Sequence, residues 1–309
     1  MKKQAPQSIE AVKARVQKAQ EQLDAQLAAL QTSDDWRRTL ERMAILGPVS
    51  INRFSFRNIL LLLAQRPEVR HAATFNAWHA KGRHVKKGEK GLTVLRPRIV
   101  KEKGTDAQGA PTERQKLAGF SYLTVFGFEQ TDGEPLPEPI RPQHIETPEG
   151  FGWTVDTLRE LVKTIPGVAG ITLRHRGPGD HPLAAGWFDL RTHQIVVILG
   201  ETPPAQQLKT LLHEVAHAIL HGDGEHHATP TAEVEAESTA FVAAHALGLD
   251  TAAYSLPYVA TWALAGDEKE PTKAVAAAGE RIRKAAGVIL AALIPTAEQS
   301  ADELAERAA

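Results

Sequence analysis

The chain has no cysteine, and only 6% of its 309 residues are aromatic. The absence of cysteine excludes disulfide frameworks, cysteine nucleophiles and iron–sulfur clusters, and it leaves histidine and carboxylates as the strong metal ligands. Long apolar runs are missing as well, because the longest two, residues 59–64 and 285–294, are far shorter than the ~18 residues of a membrane span. We therefore expect no membrane partner, and any metal site must consist of imidazole and carboxylate groups.

A signal for export is also missing. Lys2 and Lys3 are followed by a polar and charged segment as far as Lys18, where a secretory signal peptide has an apolar stretch. We therefore expect a cytoplasmic protein. What is present is an ordinary globular composition, 42% hydrophobic and 24% charged, over a length that favours two domains at a typical size of ~150 residues.

The net charge of −1 conceals an uneven distribution along the chain. Between Ile51 and Lys103, thirteen lysine and arginine residues stand against three glutamates, which leaves this segment at +10 and the remainder at −11. A basic block joined to an acidic remainder is typical of a polyanion-binding module attached to a module with another task.

Proline and turn residues mark a boundary between two predicted domains. Residues 131–150 carry five prolines among Asp, Glu and Gly, a composition that buries little and stays extended. We therefore predict a first domain over 1–130, a second domain over 151–295 and a frayed tail over 296–309.

Apolar periodicity predicts an α+β fold for the two domains. In the first domain we expect long helices over 9–30 and 52–65, strands over 93–100 and 119–129, and a polar surface loop over 103–116. In the second domain we expect helices near 155–165, 204–221, 232–247, 258–263 and 273–294, a strand over 171–174, and a hairpin of 186–190 with 194–199.

The strongest chemical signal is the segment His213-Glu214-Val215-Ala216-His217 on a predicted helix. Residues four apart on a helix differ in direction by about 400°, so the two imidazoles lie on one face and can bind one ion. Glu214 projects beside them, where it could accept a proton from a metal-bound water and return it to a leaving amine. The pattern predicts a metal-dependent hydrolase with Glu214 as the catalytic general base.

A third protein ligand is required, with the fourth position left open for water. The next predicted helix carries Glu233 and Glu237 on one face, whereas Glu235 points elsewhere. We favour Glu233 as the ligand and Glu237 as the acceptor that orients a histidine. Imidazole and carboxylate ligands favour zinc over manganese or iron.

Other residues could take the third position. His221 continues the four-residue ladder from His217, and His226 and His227 follow it in sequence. However, Gly222-Asp223-Gly224 predicts the end of the helix directly after His221. Glu237 remains a further alternative.

The basic block interleaves cations with aromatic residues and glycines. Its densest part is the lysine-glycine segment from Lys81 to Gly91, preceded by Phe54, Phe56, Phe75 and Trp78. Lysine and arginine neutralise phosphates, and exposed aromatic faces stack on unpaired bases, which suits single-stranded nucleic acid. The alternative for the rings is a place in the hydrophobic core.

These residues carry a resemblance to a known family. Ser55-Phe56-Arg57-Asn58, Phe75 with Trp78, and the segment from Gly82 to Gly91 resemble the N-terminal, single-stranded DNA-binding domain of ArdC-type antirestriction proteins of plasmids and other mobile elements. Residues 213–249 are similar to zincin domains of the ImmA/IrrE and ArdC kinds. Those domains take their third metal ligand from a Glu-x-x-Ala helix, a pattern met here by Glu233-Val234-Glu235-Ala236.

The resemblance implies an antirestriction protein with an ArdC-like N-terminal DNA-binding domain and a C-terminal zincin-like metallopeptidase domain that acts on an unknown protein or peptide substrate. His175, His181 and Tyr254 are candidate helpers in catalysis. The candidate DNA-binding residues are Arg53, Ser55, Arg57, Asn58, Trp78, Arg83, Lys86, Lys87 and Lys90.

Two alternative functions remain open. One is a non-catalytic protein that binds and protects single-stranded DNA and has a structural or silent metal site. The other is a metallopeptidase whose basic face docks acidic proteins.

Overall fold

A computed structural model describes residues 8–30, 32–105, 111–135, 148–180, 182–189, 191–222, 230–249, 251 and 270–294. Its helices are α1 (Ile9–Ala29), α2 (Ser33–Ile45), α3 (Gly47–Arg53), α4 (Phe56–Gln65), α5 (Phe75–Ala80), α6 (Pro148–Val162), α7 (Pro204–His221), α8 (Pro230–Ala246) and α9 (Pro271–Leu293). Its strands are β1 (Ala72–Ala73), β2 (Arg83–Val85), β3 (Leu92–Thr105), β4 (Pro111–Gly127), β5 (Thr131–Gly133), β6 (Gly170–Arg174), β7 (Gly186–Asp189) and β8 (Gln194–Ile198). The predicted α+β class is confirmed, and none of the described helices has the length and apolar character to cross a membrane.

The chain forms two compact units. Unit 1 comprises residues 1–26 and 58–134, and unit 2 comprises residues 27–57 and 135–309. The predicted contiguous first domain over 1–130 stays a prediction, and the compact units divide the chain differently because residues 27–57 group with unit 2. The middle of the predicted linker, residues 136–147, the predicted helix 258–263 and the predicted tail lie outside the described residues.

Two buried aromatic rings explain why residues 27–57 belong to unit 2. The Trp36 indole is buried and donates from Nε1 to the Ser238 hydroxyl of α8 at 3.0 Å. Phe56 is fully buried, and its backbone N–H donates to the Glu280 carboxylate of α9 at 2.7 Å. Its ring occupies the space beside Gly279, where a side chain would clash with it. These contacts join segments more than 200 residues apart, a link that local periodicity does not reveal.

Unit 1 contains two small antiparallel sheets. One has the order β1-β4-β3, and the other pairs β2 with β5. Trp78 of α5 is buried against the first sheet, where its Nε1 donates to the Phe126 carbonyl of β4 at 2.8 Å. The Thr74 hydroxyl caps α5 by accepting from the backbone N–H of Ala77.

The predicted surface loop over 103–116 is wrong. β3 and β4 remain paired as far as Thr105 opposite Pro111, so this segment extends both strands as an antiparallel ribbon. Neighbouring side chains of the ribbon, such as Gln115 and Lys116, are exposed. Exposed strand residues such as these two need no alternation of apolar and polar side chains, and the segment lacks the pattern that identifies a strand.

The predicted single helix over 52–65 is also wrong, because it is divided between α3 and α4. Phe54 ends α3 with an extended backbone, at φ −111° and ψ 141°. Both Phe54 and Phe56 are buried. On an uninterrupted helix, residues two apart point about 200° from each other, so the break allows both rings to face inward.

Unit 2 combines a three-stranded sheet with packed helices. The sheet has the order β6-β8-β7, in which β6 is parallel and β7 antiparallel to β8. The predicted hairpin is therefore confirmed, and the predicted helix 204–221 coincides with α7. α7 packs against α8, and Leu211, Leu212 and Val215 of α7 are fully buried. This packing places two further residues of α7, His213 and His217, opposite α8.

Candidate metal centre and nucleic-acid interface

His213 and His217 present their imidazoles to one point beside α7. Their Nε2 atoms lie 3.1 Å apart, and the rings meet edge to face with centroids 4.6 Å apart. This is the arrangement that the four-residue spacing predicts on a helix. Because both rings turn the same nitrogen to the same space, their lone pairs can converge on one cation.

Glu233 of α8 completes a group of three metal-ligating side chains. Its two carboxylate oxygens lie 3.5 Å from His213 Nε2 and 3.4 Å from His217 Nε2. All three ligand atoms fall within 4.8 Å of one another, and no other such group occurs in the part of the chain that the structure describes. Two imidazole nitrogens and a carboxylate oxygen are a donor set that fits a divalent metal of the zinc kind.

Glu237 contacts the far side of the first histidine. Its carboxylate lies 3.0 Å from His213 Nδ1, one helical turn beyond Glu233. A carboxylate accepts a hydrogen bond, so the Nδ1 atom carries the proton and Nε2 is left to face the centre. The structure thus brings Glu237 to the place where an orienting acceptor is expected.

The electrostatics of the centre follow from its pairings. Burial opposes the charged form of His213, but hydrogen bonds to Glu233 and Glu237 outweigh it and raise the pKa of His213 to about 10. The two imidazoles hold the pKa of Glu233 well below its usual range by hydrogen bonding. Each charge in the centre therefore depends on its neighbour.

Glu214 lies beside the three side chains in a cleft of about 270 Å³, which is also lined by Gly186 of β7 and Thr210 of α7. Burial raises the pKa of the Glu214 carboxyl group. β7 approaches α7 closely at this point, because a Cβ on Gly186 would lie 2.6 Å from Thr210 Cγ2 and 3.4 Å from Glu214 Cγ. The glycine therefore allows the edge strand to form one wall of the cleft.

His221, one of the alternative third ligands, is not part of the group of three. His221 Nε2 lies 3.7 Å from Glu235, which points away from Glu233 as expected and accepts hydrogen bonds from Arg281 of α9. His221 is therefore directed to another carboxylate, one turn beyond the centre. His226, His227 and the candidate helpers His181 and Tyr254 lie outside the described residues, and His175 is not among the residues lining the cleft.

Three candidate DNA-binding residues of unit 1 are buried or half-buried. Trp78 is buried, and Arg83 is buried with its guanidinium donating to carbonyls of Thr131, Gly133 and Glu134. The Asn58 side chain donates to and accepts from the Leu95 backbone at 2.9 and 2.8 Å. Contact of these three side chains with DNA stays a prediction, although the burial of Trp78 and Arg83 leaves them little surface for a base or a phosphate.

The other six candidates are exposed but fall in different units. Arg53, Ser55 and Arg57 lie in unit 2, whereas Lys86, Lys87 and Lys90 lie in the turn before β3 of unit 1. Among the aromatic residues singled out, Phe54 and Phe56 are buried, and Phe75 is 46% exposed.

Sequence reasoning missed a group of cations on α1. Arg15 and Lys18 line the same cleft of unit 1 as Lys87 and Lys90. They lie outside the basic block, on a helix in which both signs of charge are mixed, so charge counting alone does not single them out.

The fold and site of unit 2 define a metallopeptidase-like domain, in which one helix carries two histidines and the next supplies a glutamate. Residues 168–261 match the family model of the IrrE N-terminal-like domain, and residues 12–126 match that of the N-terminal domain of the anti-restriction factor ArdC. The chain thus combines a segment similar to the N-terminal domain of ArdC with a segment similar to the IrrE N-terminal-like domain.

Known proteins similar to this chain include one relative from Bacillus anthracis and one protein that has been solved in two crystal structures. An uncharacterized protein of Bacillus anthracis, pXO2-81, is 27% identical over 255 residues, which cover 71% of this chain and 42% of that protein. The chain thus spans less than half the length of this relative. Two crystal structures of the antirestriction ArdC protein from the R388 plasmid are each 20% identical to this chain. The match to the metal-free structure covers 78% of this chain and 85% of that chain, with a TM-score of 0.45. The match to the Mn(II)-bound structure covers 84% of this chain and 97% of that chain, with a TM-score of 0.44.

Proposed function

We propose that this chain is an anti-restriction factor that binds single-stranded DNA through unit 1 and carries a zinc-dependent peptidase centre in unit 2, acting in the cytoplasm. The observation that carries the proposal is the convergence of His213, His217 and Glu233 within 4.8 Å, with Glu214 buried beside them. The match of residues 12–126 to the N-terminal domain of ArdC supports the DNA-binding part.

His213, His217 and Glu233 would hold the metal in this centre. A bound zinc ion would supply Lewis-acid polarisation of a carbonyl and lower the pKa of water. Glu214 is the group that takes and returns a proton at its carboxylate, and its raised pKa brings it closer to the working pH of a general base. Glu237 fixes the tautomer and direction of His213 through the Nδ1 hydrogen bond.

A metal analysis with matched histidine variants tests the centre. The wild type should contain about one zinc per chain, and His217→Ala should contain almost none. His221→Ala is the control, because it removes an imidazole one turn further along α7 that faces Glu235. Loss of metal in both variants would favour His221 as a third ligand after His213 and His217. A wild type that binds no metal after exposure to zinc and manganese would refute the metal centre.

The catalytic assignment needs a separate variant. Glu214→Gln should retain the metal and single-stranded DNA binding but lose hydrolysis of a peptide library detected by mass spectrometry. A wild type that holds zinc and cleaves no peptide would support the non-catalytic alternative, in which the metal site is structural.

A further inference from the structure

Unit 1 contains a cleft of about 1090 Å³ between α1 and the chain that leads into β3. Its walls carry cations from three separate parts of the sequence. These cations are Arg15 and Lys18 of α1, Arg66 after α4, and Lys87 and Lys90 of the lysine-glycine turn.

One acidic residue lines this cleft, and it is already neutralised. The Glu89 carboxylate accepts from Gln130 Nε2 at 2.7 Å and lies 3.5 Å from the Arg66 guanidinium. Lys18, Lys87 and Lys90 are exposed, and among the described residues no carboxylate lies within ion-pair distance of their ammonium groups. The cleft therefore presents unneutralised positive charge on both walls.

The walls are held together by specific contacts. The Arg15 guanidinium donates from Nε to the Thr93 hydroxyl at 3.0 Å and stacks over the Tyr122 ring at 4.3 Å from its centroid. The Gln65 side chain makes two hydrogen bonds to the Thr93 backbone: its Nε2 donates to the carbonyl at 2.8 Å, and its Oε1 accepts from the N–H at 2.8 Å. Because α1 is tied to β3 in this way, the cleft is a built feature of unit 1.

The turn that carries the lysines has a conformation that favours glycine. Gly88 has a φ of +91° with open space beside it, in the left-handed region that other residues rarely adopt. The Glu89 N–H closes the turn by donating to the Lys86 carbonyl at 3.3 Å. Lys86 itself donates to the Glu129 carbonyl and is not among the residues that line the cleft. The turn thus directs Lys87 and Lys90, and not Lys86, towards α1.

We propose that this cleft is the path of the DNA strand, with Lys18 of α1 and Lys87 and Lys90 of the turn contacting consecutive phosphates. A positively charged groove that follows one backbone is the feature that single-strand binding requires. The inference rests on the proposed DNA-binding function and adds to it the place of binding and the contribution of α1. Buried Trp78 takes no part in it, so phosphate contacts supply most of the affinity.

The test compares two triple variants that each remove three positive charges from unit 1. The cleft variant is Lys18→Ala with Lys87→Ala and Lys90→Ala, and the control is Lys13→Ala with Lys101→Ala and Lys116→Ala. Binding of a fluorescent oligothymidylate is measured by anisotropy over a range of salt concentrations, and thermal unfolding shows that each variant is folded.

The cleft variant should bind about tenfold or more weakly at low salt, and the slope of log affinity against log salt should become shallower by about 2, since each single-strand phosphate contact contributes about 0.7. The control should bind within about threefold of the wild type. Replacing the same three cleft lysines by arginine should preserve binding, because the charge is retained.

The outcomes separate the inference from the function on which it rests. Equal binding by the wild type and the folded cleft variant would overturn the inference and leave single-stranded DNA binding intact. A wild type that does not bind the oligothymidylate at low salt would refute the proposed function itself. If inorganic phosphate displaced the labelled oligothymidylate as effectively as the unlabelled strand does, the cleft would be a site for free phosphate. That result would overturn the inference that a DNA strand follows the cleft.

Discussion

The metal centre of unit 2 and the cationic cleft of unit 1 hold their charges in opposite ways. In the metal centre, His213 contacts Glu233 and Glu237, and His217 contacts Glu233, with the two histidines largely buried. In the cleft, Lys18, Lys87 and Lys90 stand exposed on two walls. The first region is a network in which each group depends on the others, and the second is a set of separate charges in water.

This difference predicts different responses to change. Removing one member of this partly buried network leaves its hydrogen-bonded partners uncompensated, which is costly even where salt screens exposed charges. Removing one exposed cation takes away one screened interaction, and such effects add up and weaken with salt. A single substitution should therefore abolish metal binding at the metal centre, whereas several substitutions are needed to abolish DNA binding by the cleft.

The largest effect is expected for Glu233→Gln, which removes the charged ligand supplied by α8. Metal affinity should fall by about a thousandfold or more, because one of three protein ligands is weakened and two imidazoles lose their counter-charge. DNA binding should stay unchanged. Competition with a chromophoric chelator measures the affinity, and Glu160→Gln, at an exposed pair with Lys163, is the control. Metal affinity equal to that of the wild type would assign the third ligand elsewhere.

The next effect concerns the core of unit 1. Trp78→Ala should destabilise unit 1 by about 3–5 kcal/mol, because it deletes a fully packed indole and its hydrogen bond to the Phe126 carbonyl. Trp78→Leu keeps most of the apolar volume and should bind DNA within about twofold of the wild type when folded. Urea unfolding and anisotropy report the two quantities. A tenfold loss of DNA affinity in folded Trp78→Leu would show that the Trp78 ring contributes to DNA binding.

A smaller effect is expected for Glu237→Ala, which removes the acceptor on the far side of His213. Metal affinity should decrease by about 10–100-fold, since the imidazole loses its fixed tautomer and direction while all three ligands remain. The chelator titration used for Glu233 measures it. An unchanged affinity would mean that packing of α7 alone orients the ring.

The smallest effect is expected at a half-buried ion pair of unit 2, between Arg174 at the end of β6 and Asp180. A hydrogen bond from Arg174, helped by the Gly177 N–H, lowers the pKa of Asp180 to about 2. A lowered folded-state pKa stabilises the protein above the ordinary value of 3.8, and this contribution is lost as the pH falls towards 2.

Asp180→Asn should therefore lower the free energy of unfolding slightly at neutral pH, and the difference from the wild type should vanish in acid. Urea unfolding at a series of pH values measures this difference. A difference that persists near pH 2 would assign the effect to the lost shape of the side chain and not to its charge.

The sequence anticipated most of the metal site and less of the nucleic-acid surface, for a physical reason. His213, His217 and Glu214 share one helix, whose period alone places them together. Glu233 and Glu237 lie on the next helix along the chain, and their spacing separates them from Glu235. The DNA-binding candidates were chosen by residue type, which does not distinguish the exposed Lys87 from the buried Arg83.

By itself, the sequence determined the α+β class, the bounds of α7, the β7–β8 hairpin and the shared face of His213 and His217, because each depends on local spacing. Only the tertiary structure decided that residues 27–57 join unit 2, that Trp78 is core, and that Arg15 and Lys18 face the lysine-glycine turn. Those outcomes depend on contacts between segments that are far apart in the chain. Such contacts form because burial of apolar surface favours any two surfaces that fit together, however far apart they are in sequence. The local periodicity of a segment does not indicate which distant segment it packs against.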